Sequence, residues 1–180
     1  MKVIDTLFDG LKVIEPQVFI DNRGAFMESY NLDAVNKYFA ETIFHQDNQS
    51  VSKKGVLRGL HFQNPPFAQV KLVRVVKGAV LDVVVDIRKQ SATFGKHFKI
   101  ELTAQNNKML WIPEGFAHGF VALEEDTIFL YKCSSVYNKA SEGCIAYNDP
   151  NLGIDWGIQN PIVSEKDLMG KQFTSWEGLF

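Results

Sequence analysis

Metal-ligating side chains are scarce in this sequence. Its 180 residues include four histidines, His45, His61, His97 and His118, and two cysteines, Cys133 and Cys144. No His-x-His pair occurs, so the clustered imidazoles with which small β-barrel enzymes often hold a metal are missing. Two separated cysteines exclude a disulfide framework and argue against structural zinc. They read as reduced thiols of a cytoplasmic protein. A metal gathered from His61, His118 and a carboxylate is the weaker alternative, and neither metal nor cofactor is expected. No apolar run approaches the length of a membrane span, and Met1-Lys2-Val3-Ile4-Asp5-Thr6 lacks the apolar segment of a secretory signal. Positive charge is not in excess: 19 Lys and Arg stand against 21 Asp and Glu, a formal net charge of -2. That excludes a general nucleic-acid binder, while leaving room for a local basic pocket for a small anion. No linker, low-complexity stretch or repeat divides the chain, so residues 1–180 are expected to form one domain.

What the sequence does contain is short β-rich runs between turn residues. Val70 to Val76, then Lys77-Gly78, then Ala79 to Ile87 reads as a hairpin of two β-branched strands. Further strands are expected at Leu11 to Ile14, Ala25 to Tyr30, Ile43 to Val51, Leu57 to Gln63, Lys96 to Leu102, Lys108 to Ile112, His118 to Leu123 and Thr127 to Cys133. Many short strands at regular spacing predict an all-β sandwich or barrel, with a jelly roll favoured. Leu32, Val35 and Phe39 share a helical face that Asn31 could cap. The turn-rich tail beyond Asn148 is expected to fold over the body.

Six segments could carry chemistry. Leu57-Arg58-Gly59-Leu60-His61 sets a cation and an imidazole in one apolar strand, downstream of polar Gln46, Asp47 and Asn48. Strict alternation puts Arg58 and His61 on opposite faces. For both to enter one pocket the strand must bulge or bend, and Gly59 is the natural place. Lys71, inside an apolar run, is either an edge gatekeeper or a pocket cation; alternation groups it with Val73 and Val75. Pro113-Glu114-Gly115 reads as a turn that delivers His118 into an apolar strand. Tyr131 and Tyr137 are ordinary packing residues unless they share a cavity. Ser164-Glu165-Lys166-Asp167 reads as a helix start or a solvated turn. Asp21-Asn22-Arg23-Gly24 reads as a hairpin turn, followed by Phe26 and Glu28.

Together these segments resemble the dTDP-4-dehydrorhamnose 3,5-epimerase family, a cupin-type jelly roll. The matching stretches are Asp21-Asn22-Arg23-Gly24-Ala25-Phe26-Met27-Glu28, Gln46-Asp47-Asn48-Gln49-Ser50, Leu57-Arg58-Gly59-Leu60-His61-Phe62-Gln63, Gln69-Val70-Lys71-Leu72-Val73, Pro113-Glu114-Gly115-Phe116-Ala117-His118-Gly119-Phe120 and Ser164-Glu165-Lys166-Asp167. They cover nearly the whole chain in the family's order. The resemblance implies His61 as general base, Asp167 as its carboxylate partner, Tyr131 as the acid on the opposite face and Lys71 as the cation beside the C4 oxygen. It implies pyrophosphate contacts from Arg23, Arg58 and Lys166, and Tyr137 stacked on thymine. Phe26, Glu28, Gln46, Asp47, Asn48, His118 and Glu142 complete the implied pocket. It also implies a homodimer with exchanged N-terminal strands, so that Arg23 and Glu28 serve the neighbour's site.

The chemistry suits these residue types. A proton on carbon beside a ketone is acidic because the anion delocalises onto oxygen. Inversion then needs a base and an acid on opposite faces, and a positive group at the oxygen. Imidazole is a base suited to neutral pH, a carboxylate fixes its tautomer, and a phenol is protonated there. Three alternatives stay open at this point: an epimerase acting on one carbon or another deoxysugar, a non-catalytic sugar-nucleotide binder, and a metal-dependent oxygenase.

Overall fold

The computed structural model describes residues 1–39, 42–176 and 178–180. Along the chain run β1 (Lys2–Asp5), β2 (Lys12–Glu15), β3 (Val18–Asp21), β4 (Gly24–Met27), α1 (Leu32–Asn36), β5 (Gln46–Ser52), β6 (Val56–Gln63) and β7 (Lys71–Lys77). There follow β8 (Ala79–Asp86), β9 (His97–Thr103), β10 (Met109–Ile112), β11 (Phe116–Ala122), β12 (Thr127–Cys133), β13 (Glu142–Cys144), β14 (Ile162–Val163) and α2 (Glu165–Leu168). One sheet has the order β1-β2-β10-β7-β12-β5 and the other β13-β6-β11-β8-β9, with β14 parallel to β6. The two face each other as a cupin-type jelly roll. Among the described residues no helix is long and apolar enough to cross a membrane.

The hairpin expected at Lys77-Gly78 is not one. β7 pairs with β10 and β12, whereas β8 pairs with β11 and β9. Gly78, at φ 78°, turns the corner from one sheet to the other. A hairpin and a corner look alike in sequence when both runs are apolar. Apart from Asp82 and Asp86, both buried, β8 is apolar, because its sheet is covered on both sides. Val80 and Val84 join Val73, Val75, Leu110 and Phe129 between the sheets. Val83 and Val85 join Leu57, Leu60, Val121 and Ile145 on the outer face, under Leu152 and Trp156 of the tail. Each such fully buried side chain contributes about 1.5–3 kcal/mol. Leu152 and Trp156 are both buried there. Strands β1, β3, β13 and β14 were not anticipated from the pattern; all are four residues or shorter.

The expected helix forms at Leu32–Asn36, with the Ala34 amide donating to the Asn31 side chain at 3.1 Å. It packs Val35 with Leu72 and Trp111 against the outer face of the first sheet. Asn22 and Arg23 form the turn between β3 and β4, whose register pairs Asp21 with Gly24.

Gly59 is where β6 changes phase, as the motif requires. The β6–β11 register shifts between His118 and Phe120. On one side of this point Leu57 packs outward, on the other Leu60 does, and Arg58 and His61 both reach the interior cavity. Only glycine fits: its φ is +132°, and a Cβ there would lie 2.5 Å from the Gly119 Cα and 2.9 Å from the His118 carbonyl oxygen. Gly59→Ala should therefore cost more than about 2 kcal/mol of stability, measured by chemical denaturation. A midpoint equal to that of the parent protein would contradict the close approach of β6 and β11.

Candidate active site

The space between the sheets is filled with apolar side chains at one end and open at the other, as a cavity of about 460 Å³. Inward-facing positions run from core into cavity along each strand. On β7, Val75 and Val73 are buried and Lys71 reaches the cavity; on β12, Phe129 is followed by Tyr131 and Cys133. β5 supplies Gln46 and Asn48, β6 supplies Arg58 and His61, and β11 supplies His118. Tyr137, Glu142, Lys166 and Asp167 close the mouth. Eleven of the expected residues thus line one cavity, although they come from segments far apart in the chain.

Asp167 is brought to His61 by α2. The Asp167 amide donates to the Ser164 side chain at 3.2 Å, which starts the helix and turns the carboxylate inward. There one oxygen accepts from the Gly59 amide at 3.3 Å and the other lies 2.6 Å from His61 Nε2. Burial alone would raise the Asp167 pKa, but the hydrogen bonds from His61, Gly59 and Ser164 outweigh it and hold the carboxyl below its ordinary value. An ionised carboxylate only accepts, so Nε2 donates to it, and in the neutral ring the lone pair lies on Nδ1. The Asp167 side chain is 3% exposed and that of His61 30%.

Lys71 and Tyr131 lie together, with the ammonium 5.8 Å from the ring centre. Burial pushes the Lys71 pKa below its ordinary value, partly offset by Cys133, Asp82 and Glu142. The Lys71 ammonium makes no ion pair with any described residue, as suits a cation awaiting an anionic oxygen. Burial also raises the Tyr131 pKa, so the phenol holds its proton at neutral pH. Behind them His118 Nε2 meets Asp82 at 2.9 Å, while the second Asp82 oxygen is buried without a partner.

The rim is held by Glu142, which accepts from Tyr137 Oη at 3.0 Å and Lys166 Nζ at 2.5 Å. Gln46 accepts from the Tyr137 amide at 2.8 Å, and Gln63 accepts from the Asn138 amide at 2.7 Å. Gln63, Asp82 and Cys133 were absent from the expected set. Inward alternation on β6, β8 and β12 was the signal that could have found them. Cys144, an ordinary thiol by its sequence context, sits directly across from His61 in the β13–β6 register.

Four expected residues stand outside the cavity. Asp47 alternates to the far side of β5 and pairs with Lys132 at 3.0 Å; within this chain its carboxylate holds the sheet surface and does not line the cavity. Arg23 sits on the tip of the β3–β4 hairpin, paired with Asp21 at 2.6 Å and with its side chain 86% exposed. Phe26 and Glu28 follow it on the same outlying arm.

A carboxylate-bound imidazole, a protonated phenol and a free cation around one cavity can move protons on and off a carbon beside a carbonyl. The fold and the cavity suit a jelly-roll isomerase. The sequence model of the family described as dTDP-4-dehydrorhamnose 3,5-epimerase matches residues 5–175. The enzyme of that name from Salmonella typhimurium is 52% identical over 169 residues, 93% of this chain and 92% of its own. That from Shigella flexneri is 50% identical over 178 residues, 96% of each. A crystal structure of the Legionella pneumophila epimerase in complex with dTDP-4-keto-L-rhamnose superposes with a TM-score of 0.92 at 44% identity, over 97% of this chain and 93% of that one. The chain belongs to the dTDP-4-dehydrorhamnose 3,5-epimerase family.

Because the folded Asp167 pKa is depressed, its contribution to stability is full above the unfolded value of about 4 and is lost as pH falls through the folded value. Asp167→Asn should therefore be less stable than the parent at neutral pH, with the gap closing below about pH 4. Denaturation midpoints across this range check it. A gap independent of pH would contradict an ionised, stabilising Asp167.

Proposed function

We propose that this chain inverts C3 and C5 of dTDP-4-dehydro-6-deoxy-D-glucose, giving dTDP-4-dehydro-L-rhamnose for dTDP-rhamnose biosynthesis. The observation that supports it most directly is the convergence of His61, bound to Asp167, with Tyr131 and Lys71 on one cavity. His61 removes the proton from the carbon beside the C4 ketone, and the electron pair moves onto the C4 oxygen. Lys71 stabilises that enolate oxygen. Tyr131 returns a proton from the opposite face; the imidazolium then loses its proton to solvent and the phenolate regains one, which restores both groups for the second carbon. Asp167 holds the ring tautomer and stabilises the imidazolium. Arg58 and Lys166 receive the pyrophosphate, and Tyr137 stacks on thymine at the open mouth. His118, Gln46, Asn48 and Glu142 orient the sugar and shape the rim. Family membership supports the assignment of substrate.

The working unit is a homodimer of one-domain chains, acting in the cytoplasm, where thiols such as Cys133 and Cys144 stay reduced. The arm supports this reading: Phe19, Ile20 and Phe26 on β3 and β4 are 60%, 81% and 69% exposed, a cost that burial against a second copy removes. In that dimer Arg23, Phe26 and Glu28 enter the neighbour's cavity.

Incubation with dTDP-4-keto-6-deoxyglucose in D₂O tests the reaction. Deuterium should enter two ring positions; one position indicates a single-carbon epimerase and none a binder. His61→Ala should slow wash-in about 10²–10⁴-fold, and near-native wash-in would remove His61 from the role. Tyr131→Phe should impair net inversion more than wash-in; equal loss of both would contradict acid and base on opposite faces.

Mixing tests the arm. Co-refolded Arg23→Ala and His61→Ala chains should recover about a quarter of parental activity, because half the dimers are mixed and each carries one intact site. Absence of recovery would place Arg23 in its own chain's cavity.

A further inference from the structure

The mechanism leaves one side chain beside the His61–Asp167 couple unused. Cys144 on β13 is the cross-strand partner of His61, so the two side chains leave the sheet on the same face. A ring nitrogen of His61, the Cys144 sulfur and a carboxylate oxygen of Asp167 all lie within 4.8 Å of one another. Among the described residues no other group of three or more His, Cys, Asp and Glu side chains gathers so closely. Three elements, β6, β13 and α2, converge to make it. The sulfur is not committed elsewhere: its hydrogen bond, to the adjacent Ile145 carbonyl, is 3.7 Å long.

Imidazole, thiolate and carboxylate are the donors zinc selects, with Zn–S of about 2.3 Å and Zn–N or Zn–O of about 2.0–2.2 Å. Those lengths put tetrahedral ligand atoms about 3.5 Å apart. The 2.6 Å His61–Asp167 contact would open to about 3.5 Å and the part-exposed Cys144 sulfur would swing in by about 1 Å to set all three around one ion, leaving a fourth position for water. Calcium and magnesium, which want several oxygens, do not fit this donor set.

We propose that a thiophilic divalent cation, zinc above all, binds His61, Cys144 and Asp167 and switches the enzyme off. The ion accepts lone pairs from the imidazole, the thiolate and the carboxylate, and the thiol proton leaves to solvent. Coordination through Nδ1 occupies the lone pair that the base uses. Coordination through Nε2 breaks the hydrogen bond to Asp167 and moves the ring proton onto Nδ1. Either way His61 can no longer accept a proton from carbon. The inhibitory half of this inference rests on His61 being the base; the binding half does not.

The test uses the full chain, freed of metal by chelation, and titrates it with Co²⁺ as a spectroscopic stand-in for Zn²⁺. One equivalent should produce a thiolate-to-cobalt charge-transfer band in the near ultraviolet, which zinc displaces and Cys144→Ala abolishes. In parallel, zinc should suppress deuterium wash-in, EDTA should restore it, and Cys144→Ala should keep parental activity while needing more than about tenfold higher zinc, since loss of even an outer partner of a metal site costs about 10–100-fold in affinity. A parent protein without the band, a band that persists in Cys144→Ala, or equal zinc sensitivity in the two proteins would overturn the proposal. A Cys144-dependent band in a chain that shows no wash-in when metal-free would uphold the metal site and sink the epimerase reading.

Discussion

The 2.6 Å hydrogen bond between His61 and Asp167 is the contact on which the site depends. It joins β6, an interior strand of the second sheet, to a helix of four residues near the end of the chain. Neither partner suffices alone. Without Asp167 the imidazole has no fixed tautomer; without His61 a nearly buried carboxylate loses its strongest charge-stabilising partner. The Gly59 amide and the Ser164 cap hold the carboxylate from two further directions. The fold thereby closes the cavity with the same contact that orients the imidazole, the proposed base.

The remainder of the site follows from a division of the barrel interior. One end is packed with Val, Leu and Phe, and the other keeps polar groups at the inward positions of the same strands. A low-dielectric floor pushes Lys71 and Tyr131 in opposite directions, the ammonium towards easier proton loss and the phenol towards retention. A cation short of a partner and a phenol that keeps its proton are what an enolate and its reprotonation require. The apolar end thus contributes stability and also tunes the polar end.

Much of this was legible in the sequence, and the misses are physical in kind. The phase change at Gly59 could be deduced because Arg58 and His61 are three apart and a strand alternates by two. The position of Lys71 followed from its alternation with Val73 and Val75. The corner at Gly78 was read as a hairpin because β8, buried on both faces, loses the alternation that would reveal which sheet it joins. Between Gln46 and Asn48, alternation turns Asp47 outward to Lys132. The approach of Cys144 to His61 depends on strand pairing between distant segments, which local pattern does not encode. In the proposed dimer the exposed β3–β4 arm is covered by a second copy, whose contacts no single chain displays.

The account rests on a hexose ring held between an imidazole and a phenol. A crystal structure of the protein with a bound dTDP-4-keto-deoxyhexose tests that most directly. The account predicts His61 on one face of the ring, the Tyr131 hydroxyl on the other, and the C4 oxygen within about 2.6–3.2 Å of the Lys71 ammonium. A ring with both groups on the same face, or seated outside the cavity, would contradict it.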